Sequence, residues 1–141
     1  YSTEFDLSNY ILQDYDLEEK LGLVKERAST YKEMLDQIRF FYKAPENVDW
    51  NIKQTQNTLE IVPQLKKEFA DLFTAFADNS KEWKHEDWEP KMRLLAEKYG
   101  KKAGDIFMVQ RIAIVGSPFS PPLFESMQLL GKNEVLKRMT A

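Results

Sequence analysis

The chain has no cysteine, one histidine, five glycines and six prolines among 141 residues. Without cysteine there can be no disulfide, no thiolate zinc site and no cysteine nucleophile. A lone histidine, His85, excludes multi-histidine zinc sites and any nucleotidyl-transfer site built on a histidine pair. No run of 18 apolar residues is present, so no transmembrane helix is expected. The few glycines stand singly, which leaves no Gly-rich phosphate loop and no low-complexity linker. There is also no strong charge excess. The formal net charge is −3, from 20 basic and 23 acidic residues, whereas a general nucleic-acid binder is usually strongly basic. That argument is weak, because a binder can confine its positive charge to one face. The chain opens at Tyr1 without methionine or a basic-then-apolar leader, which reads as a fragment or a processed piece.

Apolar residues make up 43% and aromatics 13%, enough for a packed core. Their spacing is helical almost throughout. Leu17, Leu21, Val24 and Ala28 recur at steps of 4, 3 and 4, one face of a helix. Asp16 with Glu19, and Thr30 with Glu33, have the form of capping boxes. A second helix carries Met34, Leu35, Ile38, Phe41 and Tyr42 inward and stops at Pro45. The short join near Ser29 predicts a helical hairpin. Residues 44–57 are polar around Trp50 and read as a connection with room for one helical turn. Val62, Leu65, Phe69, Leu72, Phe73 and Phe76 form a third stripe, with Pro63 in its first turn, where a missing amide is harmless. Trp88, Met92, Leu95 and Tyr99 form a fourth, with Asp87 as its cap, Pro90 in its first turn and Gly100 as its stop. Polar residues 78–87, His85 among them, read as a solvated loop. Residues 106–115 are apolar all round except for Gln110 and Arg111, so period alone cannot tell helix from strand. No other segment offers a partner strand, and helix is the expectation. Ser120 then reads as an N-cap with Pro121 at the first helical position, ahead of Leu123, Phe124, Met127 and Leu130. Gly131 ends that helix and Asn133 caps a last one. The fold class is all-α, in two helical subdomains, 1–57 and 58–141.

Catalytic chemistry finds little support. The acidic pairs Glu18-Glu19 and Glu86-Asp87 sit where helices begin, and there they complement the helix dipole. Arg111 is more telling, since a guanidinium in an apolar segment is costly unless its donors are met. Two explanations stand side by side. Arg111 forms an internal ion pair with a carboxylate such as Glu125, or its planar fork faces a pocket and reads a base or a phosphate.

The run Arg111-Ile112-Ala113-Ile114-Val115-Gly116-Ser117-Pro118-Phe119-Ser120-Pro121-Pro122-Leu123-Phe124, followed by Leu129-Leu130-Gly131-Lys132 and Val135-Leu136-Lys137-Arg138, resembles the C-terminal end of bacterial glutamyl-tRNA synthetases. The shared pattern is an arginine, an apolar run, a glycine, a Ser/Thr-Pro pair, an apolar helix, Leu-Gly-Lys and a basic closing helix. Upstream, Val24-Lys25-Glu26-Arg27, Ser29-Thr30 and Phe40-Phe41-Tyr42 are similar to that family's helical hairpin. One departure is Val109-Gln110, where the family often has a Pro-Leu or similar pair. The resemblance implies an anticodon-binding helical cage that binds tRNA-Glu in the cytoplasm and acts as a monomer joined to the synthetase's own catalytic domain, with no membrane partner. It implies that Arg27 examines the third anticodon base, C in tRNA-Glu and G in tRNA-Gln. Arg93 would contact base or backbone, and Arg111, Ser120, Pro121, Leu123 and Phe124 would line the pocket for the second and third bases. Lys101, Lys102, Lys132, Lys137 and Arg138 would serve as backbone contacts. Catalysis is not expected of this chain alone; ATP and magnesium would belong to the catalytic part of the full-length enzyme. The rival expectation is a helical protein–protein interaction module with no RNA role, its stripes ordinary core and its arginine internally paired.

Overall fold

A computed structural model describes residues 16–24 and 31–141. Among them are seven α-helices and four 3-10 turns, with no strand. The helices are α1 (Leu17–Val24), α2 (Tyr31–Ile38), α3 (Val62–Thr74), α4 (His85–Tyr99), α5 (Ala103–Val115), α6 (Leu123–Leu130) and α7 (Lys132–Thr140). The apolar segment 106–115 is therefore helical, as the lack of a partner strand required. The expected hairpin join, Ala28 and the Thr30 cap lie outside the described residues.

The stripes gather into two clusters. In the larger, Leu65, Phe69 and Phe73 of α3 meet Trp88 and Met92 of α4, Ile106 and Val109 of α5, and Met127, Val135 and Met139 of α6 and α7. Each large side chain wholly removed from water there contributes about 1.5–3 kcal/mol. α5 lies at the centre, packed on α3, α4 and α7. This is why it is apolar all round: a helix covered on every side has no water-facing stripe. Gln110 is fully buried within it, its Oε1 accepting from Trp88 Nε1 at 2.9 Å while its Nε2 finds no protein partner. The smaller cluster joins Val24 of α1 to Ile38 of α2 and to Phe40 and Phe41 of the 3-10 turn Arg39–Phe41. Lys20 is buried there too, its ammonium 5.1 Å from the Phe41 ring and 4.7 Å from the Tyr42 ring. Val115 and Leu130 touch both clusters, so α5 and α6 are the seam between the two units. Lys81 bridges the same seam from outside, 2.9 Å from Glu19.

Several ends differ from expectation. α4 begins at His85 rather than after Asp87, its N-cap Lys84 makes no side-chain bond, and Pro90 sits inside the helix. Asp87 remains in the first turn, where its charge still suits the dipole. His85 is thus helical, edge-on to Trp88 and Phe124 with centroids at 5.2 and 5.3 Å. Residues 78–87 are no plain loop either. Asn79 caps a 3-10 turn, Ser80–Glu82, and Ser80 Oγ donates to Gln128 O at 2.6 Å. Ser120 is not an N-cap; α6 starts at Leu123 after Pro122, because the Ser120 hydroxyl is engaged elsewhere. α7 starts at Lys132, so Asn133 lies inside it and Gly131 precedes it. The stops at Gly100 (φ 64°) and Gly116 (φ 82°) are as expected, in the left-handed region that glycine enters without strain.

Candidate nucleic-acid interface

α2 and the loop after α5 face each other across a cleft of about 550 Å³. One wall is the face of α2 and its 3-10 extension that carries Asp36, Gln37, Arg39, Phe40 and Lys43. Asp36, Arg39 and Lys43 recur at steps of three and four and share one row, while Phe40 also belongs to the smaller cluster. The other wall is Val115, Ser117, Phe119, Ser120 and Pro121. Gly116 lets this loop turn. Its φ is positive, and a Cβ placed on it would come 2.6 Å from Pro45 Cβ. Phe119 stands at the rim, 78% exposed.

The loop wall is braced from α5. Arg111 Nε donates to Ser120 Oγ at 2.9 Å, and Ser120 Oγ donates onward to Pro121 O at 2.7 Å. Ser117 Oγ accepts the Phe119 amide at 3.1 Å. Of the two expectations for Arg111, the ion pair with Glu125 is not what the structure shows: Glu125 is exposed and makes no ion pair among the described residues. Arg111 itself is half-buried behind Ser120 rather than lining the cleft.

The predicted site residues therefore separate into groups. Ser120 and Pro121 line the cleft, and Arg111 fixes their position. Leu123 and Phe124 do not line it; both are buried in the larger cluster, where the Phe124 ring lies 5.2 Å from Trp88. Arg93 is exposed on α4, away from the cleft, and donates from Nη2 to Glu89 Oε1 at 2.8 Å. That bond holds the Glu89 carboxyl below its ordinary value. Arg27 lies outside the described residues. Of the five backbone candidates, none lines the cleft. Lys101 is half-buried between α4 and α5, while Lys102 and Lys137 are exposed. Lys132 and Arg138 are engaged within the fold. Lys132 Nζ bonds Thr74 O, Phe76 O and Asp78 Oδ1 at 3.1, 2.7 and 3.1 Å. All three ammonium donors are thus spent closing the C-terminal end of α3. Arg138 is 4% exposed, with Nε on Glu134 and Nη1 on Ile114 O. Burial pulls its pKa down against the support of Glu134, and its two bonds tie α7 to α5.

Asp36, Gln37, Arg39, Phe40, Lys43 and Phe119 were not among the site residues expected from the sequence. The signal was available for three of them: a polar row at 36, 39 and 43 on a helix whose other face is Leu35 and Ile38. Among the described residues no group of three or more His, Asp or Glu could hold a metal ion, and no helix is long and apolar enough to cross a membrane.

A model of an anticodon binding domain matches residues 5–141. Among curated relatives, a glutamate–tRNA ligase of Paenarthrobacter aurescens is 33% identical over 130 residues, 92% of this chain and 25% of the relative. The glutamate–tRNA ligase of Desulfosudis oleivorans is 33% identical over 116 residues, 80% of this chain and 23% of the relative. That of Borreliella burgdorferi is 28% identical over 144 residues, 96% and 28% respectively. The chain thus spans between 12% and 28% of the length of such relatives. In fold it is similar to a crystal structure of a glutamate tRNA ligase from Elizabethkingia meningosepticum in complex with its amino acid. The TM-score is 0.72 at 23% identity, covering 95% of this chain and 27% of that one. With a family model matched over nearly its whole length and an all-α fold shared with such a ligase, the chain belongs to the anticodon-binding domain family.

Proposed function

We propose that this chain recognises the anticodon loop of tRNA-Glu as the C-terminal domain of a glutamate–tRNA ligase. The observation that carries the reading is the cleft between α2 and the 116–121 loop, with cationic Arg39 and Lys43 on one side and exposed Phe119 on the other. Unpaired bases are read by stacking on aromatic faces and by hydrogen bonds to their edges, and this cleft offers both. Its cations lie on one wall, which answers the objection from an acidic composition. The two units, 1–57 and 58–141, form the halves of a cage around the loop; separate apolar clusters on either side of the α5–α6 seam support that division. Arg27 and Arg93 stay in the proposal as contacts to the third base and to base or backbone, and Lys101, Lys102 and Lys137 as backbone contacts. The domain works as a monomer in the cytoplasm, joined to the ligase's catalytic part and bound to no membrane. ATP and magnesium belong to that catalytic part.

The test is an electrophoretic titration of the chain with a tRNA-Glu transcript and with the same transcript carrying a scrambled anticodon loop, each at two salt concentrations. Tighter binding of the native loop that persists at the higher salt is expected. Phosphate contacts are weakened by salt equally for both RNAs, so equal affinities would leave only non-specific attraction and overturn the proposal.

A further inference from the structure

Ala44 lines the cleft and also a second, smaller pocket. The volume of that pocket is about 200 Å³, below the roughly 300–1,000 Å³ of sites for drug-sized ligands. Asn47, Trp50, Lys66, Lys137 and Arg138 line it, and the rest of its lining is alanine, proline and valine. Each of those five side chains carries an N–H donor, and no aspartate or glutamate stands among them.

The donors are largely unspent. The side chains of Asn47 and Lys137 are exposed and make no hydrogen bond or ion pair among the described residues. Trp83 and Trp88 give their indole protons to Ala77 O and Gln110 Oε1 at 2.7 and 2.9 Å, whereas half-buried Trp50 has no such acceptor among the described residues. Lys66 gives one of its three ammonium protons to Ala141 O. Arg138 is the most telling. Its Nε and Nη1 are taken by Glu134 and by Ile114 O, and its Nη2 has no partner among the described residues. At 4% exposure a donor left without an acceptor is costly. Gln110 Nε2 is sealed from solvent without a partner and Arg138 Nη2 is not, so the way to Nη2 is through the pocket that Arg138 lines. Glu134 offsets the charge of Arg138, but Lys137 has no counter-ion among the described residues. Cations gathered on one lining repel each other, and an anion among them relieves that repulsion while it takes several donors at once. A phosphate suits this better than a carboxylate, because it offers more oxygens to both the arginine fork and the lysine point charges.

We propose that this pocket binds a single phosphate group, held by Arg138 Nη2, Lys66 and Lys137 with the Trp50 indole beside it. Free phosphate and the backbone of a bound RNA both present that group, and the same donors serve either. Inorganic phosphate alone tests the pocket, so it and the anticodon reading fail separately.

The experiment titrates the chain with inorganic phosphate at constant ionic strength, set with sodium chloride, and follows tryptophan fluorescence. A saturable change is expected, and Trp50→Phe should remove it, since Trp83 and Trp88 are buried. Lys137→Gln should weaken phosphate binding by roughly tenfold, the lower worth of one hydrogen bond to a charged group. Lys137 is exposed and unbonded, so this variant should melt with the wild type, and circular dichroism checks that. Lys84→Gln, which removes an exposed lysine outside the pocket, should bind phosphate as the wild type does. A tRNA-Glu transcript then identifies the source: if it displaces phosphate the pocket holds a backbone phosphate, and if it leaves phosphate bound the pocket serves the free ion. A response that rises without saturating, or equal phosphate affinities for the wild type and Lys137→Gln, overturns the proposal.

Discussion

Replacing Arg111 separates bracing from reading. The Arg111 Nε–Ser120 Oγ bond at 2.9 Å joins the central helix to the cleft wall, and both residues are half-buried. A hydrogen bond to a charged group contributes about 1.5–3 kcal/mol, and partial exposure argues for the lower end. Arg111→Ala should therefore destabilise the fold by about 1.5 kcal/mol, which lowers Tm by roughly 3–8 °C for a domain of this size. Arg111→Lys loses the fixed fork and should recover less than half of that. Ser120→Ala leaves the guanidinium partly unpaired and should cost a similar amount, and the double variant should cost clearly less than the sum of the two. The cycle is read by urea unfolding. In the titration with tRNA-Glu, Arg111→Ala and Ser120→Ala should weaken binding together, by about 1–3 kcal/mol, because each lets the Phe119–Pro121 wall drift. Additive stability losses would mean the bond carries no energy. Loss of affinity for Arg111→Ala alone, with Ser120→Ala binding normally, would show that Arg111 touches RNA directly and is not a brace.

The remaining predictions concern the frame around the cleft. Gly116→Ala should destabilise more than Gly100→Ala by about 1–3 kcal/mol, the usual overpacking cost. Both residues have positive φ, but only at Gly116 would a Cβ strike Pro45; equal midpoints in urea would refute the clash. Lys132→Met should lower stability by about 1.5–3 kcal/mol, since three acceptors at the end of α3 lose their donor, and should leave the anticodon-loop preference unchanged; a lost preference with an intact melt would make Lys132 an RNA contact. Glu89 titrates below its ordinary value of 4.5, chiefly through its bond from Arg93. A depressed carboxyl pKa stabilises the native state above the unfolded value, and that contribution fades as pH falls through the folded one. In Arg93→Ala the Glu89 carboxyl midpoint, followed by NMR, should rise toward 4.5, and an unmoved midpoint would refute the pairing.

Period and punctuation made the helices legible, because each stripe answers to one buried face. Trp88, Met92, Leu95 and Tyr99 pack as their spacing demands, and three glycines with positive φ end or separate helices where chain reading puts them. Caps were less legible, since a serine or aspartate before an apolar run has other uses. Ser120 is held by an arginine from a different helix, nine residues back, and no local pattern encodes that competition. Lys20 shows the same limit from the other side. In Leu-Glu-Glu-Lys it reads as a water-facing residue, yet two rings brought by the turn after α2 cover it.

The site was legible only on the wall that the chain builds from one stretch. Residues 111–121 could be read together because they are adjacent; Asp36, Arg39 and Lys43 lie about eighty residues upstream and meet them only through the packing of Val115 and Leu130 against the smaller cluster. The distinction bears on chemistry. A search for functional arginines finds Arg111, which is conspicuous because burial makes it costly, and burial is also what turns it toward bracing. Leu123 and Phe124 are conspicuous for apolar spacing, and that spacing commits them to the core. The residues left to meet a ligand are those whose exposure makes them unremarkable in sequence: a carboxylate on a polar helix face, and an exposed phenylalanine between two Ser-Pro steps.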